Sequence, residues 1–160
     1  MAVSYNIETL ANTERKLVVK FVFVNDSGTD NLPLTDFIDP ADYTSQDGKA
    51  GSYVSIDRMS VATDPGMQVE LVWESAGTDY LAWMFSADVT NNTIGATSVD
   101  FASGSWGGLR PPGFGGNSVT ANSGTGAGDG AATGTLQIKT IGVSAGDRFT
   151  LVVEGTKHYG

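Results

Sequence analysis

The stretch MQVELVWE, residues 67–74, decides the fold. Along an extended chain Val69, Leu71 and Trp73 point one way, and Gln68, Glu70 and Glu74 point the other. That is the period of a half-buried antiparallel strand. A polar turn at Ser75–Asp79 follows. YLAWMF (80–85) then places Leu81, Trp83 and Phe85 on one face and Tyr80 and Met84 on the other. TLQIKT (135–140) directs Leu136 and Ile138 inward, and DRFTLVVE (147–154) does the same with Phe149, Leu151 and Val153. No window carries a sustained 3.6-residue period.

Two segments break the simple alternation. LVVKFVFVN (17–25) is apolar on both faces. It reads either as a central strand covered on both sides or as a strand whose Val18, Val22 and Val24 meet a partner subunit. SYVSIDRMSVAT (52–63) places Val54 and Ile56 in one phase and Met59 and Val61 in the other, so a bulge near Asp57–Arg58 is expected. Asp64-Pro65-Gly66 and Ser144–Asp147 have the residues of hairpin loops. In DFIDPADY (36–43), Asp39 precedes Pro40 as an N-cap precedes the first residue of a helical turn.

These segments predict an all-β chain: an antiparallel two-sheet β-sandwich, jelly-roll-like, of about eight strands. Residues 1–160 form one domain on this reading, with 1–14 an extended N-terminal arm and 104–134 a Gly-rich loop. That loop holds 11 of the 21 glycines and only two charged residues, Arg110 and Asp129. Its composition cannot build a core. Trp106, Leu109 and Phe114 are embedded in it, and leaving them in water is costly, so they are expected to pack on the domain or on a neighbour.

The formal charge is -9, and 15 of the 18 acidic residues lie at or before Asp100. The nine basic residues are scattered, which argues against phosphate-backbone binding. There is no cysteine, so disulfides, thiolate metal sites and cysteine nucleophiles are excluded. The N-terminus MAVSYNIETLANTERK lacks a basic segment followed by an apolar one, and no run is long enough to span a bilayer. A soluble chain with neither nucleic-acid nor membrane partners is expected.

Catalytic constellations are hard to find. His158, the single histidine, is the third residue from the C-terminal end and reads as an ordinary exposed side chain. No Gly-x-Ser-x-Gly elbow occurs. Glu70 and Glu74 share the polar face of one strand, on the order of 13 Å apart between Cα atoms, and read as a solvated face rather than a glycosidase acid pair. Asp36, Asp39, Asp42 and Asp47 do not follow a calcium-loop spacing and read as caps and turns. GAGDG (126–130) lacks the Lys-Ser/Thr of a phosphate loop. No catalytic residue, cofactor or metal is therefore assigned. Tyr53, Tyr80 and Trp106 are the aromatics to consider as sugar-stacking platforms if they are exposed.

The cadence of several segments carries a resemblance: VELVWE (69–74), VDF (99–101), SWGGL (105–109), GTLQIKT (134–140) and GDRFTLVVEGTK (146–157), with the run from Ile7 into the strand at Leu17. It resembles small virion proteins of tailed bacteriophages, in particular capsid decoration (cement) proteins, and spans most of the chain. The resemblance implies a non-enzymatic virion structural protein made in the host cytoplasm and located on the capsid surface. It also implies a homo-oligomer, typically a trimer, whose partner is the major capsid protein or another virion protein. The long Gly-rich segment departs from that pattern. Partner-binding candidates are Ile7, Leu10, Val18, Val22, Val24, Trp106, Leu109 and Phe114. The alternative is a carbohydrate- or receptor-binding β-sandwich module, such as a phage tail-fibre or adhesin domain.

Overall fold

A computed structural model describes residues 3–77, 79–86, 95–102, 108–112 and 132–160. Those residues form nine strands: β1 (Val3–Asn12), β2 (Lys16–Asn25), β3 (Thr35–Ile38), β4 (Gly51–Thr63), β5 (Gln68–Ser75), β6 (Tyr80–Ser86), β7 (Gly95–Asp100), β8 (Ala132–Ile141) and β9 (Arg148–Tyr159). They build two antiparallel sheets, of order β1-β2-β9-β4-β7 and β3-β8-β5-β6. Strands β2 to β9 alone make two four-stranded sheets between which the chain repeatedly crosses, which is jelly-roll connectivity. β1 is a ninth strand added outside that unit. Residues 3–12, expected within an extended arm, are therefore paired, among the described residues only on the β2 side.

Inward residues follow the alternation read from the sequence. Val69, Leu71 and Trp73 of β5 are fully buried, as are Leu136 and Ile138 of β8 and Phe149, Leu151 and Val153 of β9. Phe21 and Phe23 meet them from β2. Phe149 stacks on both, at 5.5 and 5.2 Å between ring centroids, while Phe37 meets Phe21 edge-on at 5.4 Å. Offset and edge contacts of this kind add to the area term that dominates core stability.

The expected bulge in β4 is present. Ile56 pairs with Gly155 and Arg58 with Glu154, leaving Asp57 as the extra residue. The displaced Asp57 carbonyl accepts two backbone N–H groups, from Phe101 at 2.8 Å and Ala102 at 3.1 Å. The expected turn at residue 40 is also formed. Pro40–Asp42 is a single 3-10 turn, and the Asp39 side chain caps it by accepting the Ala41 N–H at 2.9 Å.

Three expectations change. Asp64-Pro65-Gly66 and Ser144–Asp147 do not close hairpins. Each carries the chain from one sheet to the other, β4 to β5 and β8 to β9. The two corners are tied together, since Asp64 N–H donates to the Arg148 carbonyl at 3.0 Å and Arg148 N–H to the Asp64 carboxylate at 2.8 Å. Local turn chemistry is the same whichever sheet the next strand joins, so the sequence did not distinguish the two. β2 is an interior strand, paired with β1 and β9, but it is not covered on both faces. Its inner face is buried, and Val18, Val22 and Val24 on the other face are half-buried. Finally, β6 changes phase. Leu71 pairs with Trp83 and Val72 with Leu81, so Ala82 is inserted and Tyr80 turns inward, 9% exposed, while Leu81 turns out.

Candidate functional site

Of the six large apolar side chains exposed among the described residues, three lie on one element, β1, and the others, Leu34, Met84 and Ile141, lie elsewhere in the chain. Nine of the ten residues of β1 are exposed, including Tyr5 at 51%, Leu10 at 50% and Ile7 at 38%. The cause is arithmetic in the layers. One sheet has five strands and the other four, so β1 extends past the cover that β3 and β8 give to β2. Register fixes its faces. Tyr5, Ile7 and Thr9 lie beside Phe23, Phe21 and Val19 on the core side, and Ser4, Asn6 and Glu8 beside Val24, Val22 and Lys20 on the outer side. The Tyr5 ring stacks on Phe21 at 5.4 Å and 7°, so it forms the solvent end of the aromatic row described above. A bulge at Leu10 interrupts the pairing with β2.

Under the core side of β1 runs an open cleft. One part, of about 210 Å³, is lined by Ile7, Thr9, Val19, Phe37, Tyr43 and the acidic residues Asp36, Asp39 and Asp42. Asp42 and Tyr43 also belong to a second, strongly polar part of about 430 Å³, bounded by Asn12, Glu14, Gln46 and Lys157. Lys157 is 5% exposed; its Nζ donates to Asn12 Oδ1 at 2.7 Å and lies 5.2 Å from the centre of the Tyr43 ring. Burial, with the charges of Asp42 and then Asp39, raises the Tyr43 hydroxyl above its ordinary pKa.

The other candidates fall in different places. Val18, Val22 and Val24 lie on the outer face of the five-stranded sheet, in cross-strand rows that also hold Glu154, Thr150 and Arg148 of β9. Farther across that face Ser60, Ala62, Ala96, Ser98, Thr150 and Val152 line a shallow depression of about 430 Å³. Leu109 is a correction. It is fully buried and bonded to Ile56 through both backbone groups, because residues 108–110 continue the β4 edge where β7 ends. It is a core residue. Trp106 and Phe114 lie outside the described residues.

Of the aromatics considered for sugar stacking, the two described ones are not available as platforms. Tyr53 and Tyr80 are each 9% exposed, and Trp106 lies outside the described residues. The acid pair is committed to structural bonds. Glu70 holds Lys139 at 3.0 Å and Gln68 at 2.6 Å, and Glu74 accepts from Thr133 Oγ1 at 2.6 Å. Asp36 accepts from Gln137 Nε2 at 2.8 Å, and Asp47 lies 3.7 Å from Lys49. Among the described residues no three His, Asp or Glu side chains come together as a metal site would require.

One cluster escaped the sequence reading. His158 is held in β9, opposite Tyr53, and its ring stacks on that tyrosine at 4.3 Å. Its Nε2 lies 2.9 Å from Ser55 Oγ. Asp57, nearby, accepts from Lys16 Nζ at 2.6 Å and from Thr156 Oγ1 at 2.7 Å. Burial lowers the His158 pKa first. Arg110 and, more weakly, Arg15 lower it further, and Asp57 opposes them. A Ser–His contact invites a nucleophilic reading, but Ser55 is 2% exposed and cannot meet a substrate. The contact holds the last strand against β4. Only the β4–β9 register could have revealed it, because the two residues stand 103 positions apart.

No protein-family model matches the chain, and no curated protein does. Among solved structures it is similar to a family 11 carbohydrate-binding module from Clostridium thermocellum, described in complex with a β-1,3-1,4-mixed-linked tetrasaccharide. The identity is 9% and the TM-score 0.27, over 97% of this chain and 84% of that one.

Proposed function

We propose that this chain is a non-enzymatic assembly module that attaches to a larger protein shell through β1, acting as a decoration protein on a phage capsid. One observation carries the attachment. A ten-residue strand lies outside the eight-stranded jelly roll with nine residues exposed, three of them large and apolar. Long apolar edge strands are a liability unless something covers them, and a partner is the simplest cover. The location on a virion comes from the resemblance of the Val69–Glu74 and C-terminal segments. The charge of -9 supports a docking surface of opposite sign.

Light scattering of the purified chain, and its co-sedimentation with tailed-phage capsid shells stripped of their own decoration proteins, test the proposal. A stable oligomer and saturable binding at a fixed copy number per shell are expected. A monomer at high concentration that sediments with no shell overturns it.

The polar cleft of Asn12, Glu14, Asp42, Gln46 and Lys157 favours a second reading, a glycan- or receptor-binding module. Carboxylates and amides beside the Tyr43 ring suit hydroxyl groups. A glycan array answers it directly: hits that disappear in Lys157→Met support this reading, and a blank array removes it.

A further inference from the structure

The geometry points to a specific occupant for β1: an extended segment of the partner, paired edge to edge and carrying Lys or Arg at alternate positions. This rests on the proposal that β1 is the attachment strand, and it goes further by naming the chemistry of what attaches.

An added strand continues the pleat of the sheet. Its side chains alternate between the outer face and the core side, in step with those of β1. On the core side its neighbours are Tyr5, Ile7 and Thr9. Across the cleft from them stand Asp36, Asp39 and Asp42, and no basic residue lines that part of the cleft. Among the described residues, none of the three carboxylates forms an ion pair. Lys157, in the adjoining part, is already bonded to Asn12.

An incoming side chain must therefore cross an apolar strip and end at a carboxylate. Lys and Arg do this, with aliphatic stems over Tyr5 and Ile7 and charged heads beside the aspartates. A Glu or Asp in the same place meets three like charges. Apolar side chains would cover Ile7 but bring no cation to the aspartates, of which Asp36 already accepts from Gln137 and Asp39 from the Ala41 N–H. Backbone pairing supplies affinity in this mode, and the alternate side chains supply choice of partner. Ten residues of β1 offer about 33 Å of edge, enough for a segment of eight to ten residues.

The test uses the full chain and dye-labelled ten-residue peptides read by fluorescence anisotropy. One peptide carries Lys at every second position with Thr and Val between. A second replaces each Lys by Glu. A third keeps the Lys residues but has N-methylated backbone amides, which cannot pair with a strand edge. Binding of the first alone is expected, weakened by added salt. Asp36→Asn, Asp39→Asn and Asp42→Asn together keep the shape and the Asp39 cap, and should weaken binding roughly tenfold, as the loss of three largely exposed ion pairs implies.

Equal binding of the Glu peptide or of the N-methylated peptide overturns the inference, as does an unchanged affinity in the triple variant. A chain that coats capsid shells but binds no Lys peptide keeps the assembly role and loses this inference. Peptide binding without shell binding supports the edge site and counts against the capsid role.

Discussion

Ser55 Oγ and His158 Nε2 lie 2.9 Å apart, which fixes a residue two positions from the C-terminus against the middle of the sheet. Burial together with Arg110 and Arg15 holds the imidazole pKa below its ordinary value, with Asp57 opposing. The unfolded chain therefore binds a proton more readily than the folded one. Stability from this group is fully present above the unfolded value of about 6.5 and is lost as pH falls through the folded value. Urea midpoints measured from pH 8 downward should decline below about 6.5, before most carboxylates titrate. His158→Gln should flatten that part of the curve. An equal decline in both proteins rules out His158 as its source.

Asp57 should matter more than its ion pair. Its carboxylate accepts from Thr156 and from Lys16, and its side chain is 14% exposed against 63% for Lys16. Asp57→Ala leaves the half-buried Thr156 hydroxyl without its acceptor and should cost about 1–3 kcal/mol. Lys16→Met removes an exposed cation and should cost less than about 1 kcal/mol. Chemical denaturation of the two variants gives the comparison. The reverse order would show that the charge, rather than the hydroxyl contact, holds the bulge.

Gly155 and Gly146 separate crowding from backbone freedom. A Cβ at Gly155 would stand 2.6 Å from Val54 Cγ1 and 2.8 Å from the Ser55 carbonyl, so β4 and β9 could not keep their spacing. Gly155→Ala should cost about 1–3 kcal/mol or more. Gly146 has φ +88 and open space around it, so Gly146→Ala should cost only about 1–2 kcal/mol, the cost of a left-handed residue. Both variants should melt below the parent, Gly155→Ala the lower.

Lys157 poses a different question. It is nearly buried, with one hydrogen bond to Asn12 and the Tyr43 ring beneath it. Among the described residues no carboxylate lies within ion-pair distance of its Nζ. A buried ammonium carries a desolvation cost that one amide oxygen only partly offsets. Lys157→Met, of similar length, should therefore leave the melting temperature unchanged or raise it. A loss of several degrees would show that the ammonium stabilises the fold.

The strands of the core were legible because burial imposes a period of two, and Val69, Leu71, Trp73, Phe149 and Leu151 obey it. The bulge at Asp57 was legible for the same reason, since the phase of Val54 and Ile56 conflicts with that of Met59 and Val61. The inserted Ala82 left no such conflict. Tyr80 and Leu81 are both acceptable inside, so the phase of β6 was read one residue out. Sheet membership was hidden too, because the corners at Asp64–Gly66 and Ser144–Asp147 use ordinary turn residues. Ile7 and Leu10 were read as contact residues because they are apolar anchors in an N-terminal segment expected to be extended. The cleft of Asp36, Asp39 and Asp42 beside them was invisible, since it depends on β3 and the residue-40 turn lying next to β1. Leu109 was misplaced because a glycine-rich neighbourhood concealed its backbone bridge to Ile56.

The extra strand has a consequence for how such a protein can change over time. Substitutions in a jelly-roll strand face selection for folding at nearly every second position. β1 contributes little to the interior, and only Val3 of its residues is partly buried against the core. Apart from Tyr5, whose ring stacks on Phe21, substitutions from Asn6 through Ala11 are thus judged mostly by what they touch outside the molecule. On the proposal that β1 is the attachment strand, a lineage can exchange one such surface for another by rewriting a single strand while the scaffold beneath it stays the same.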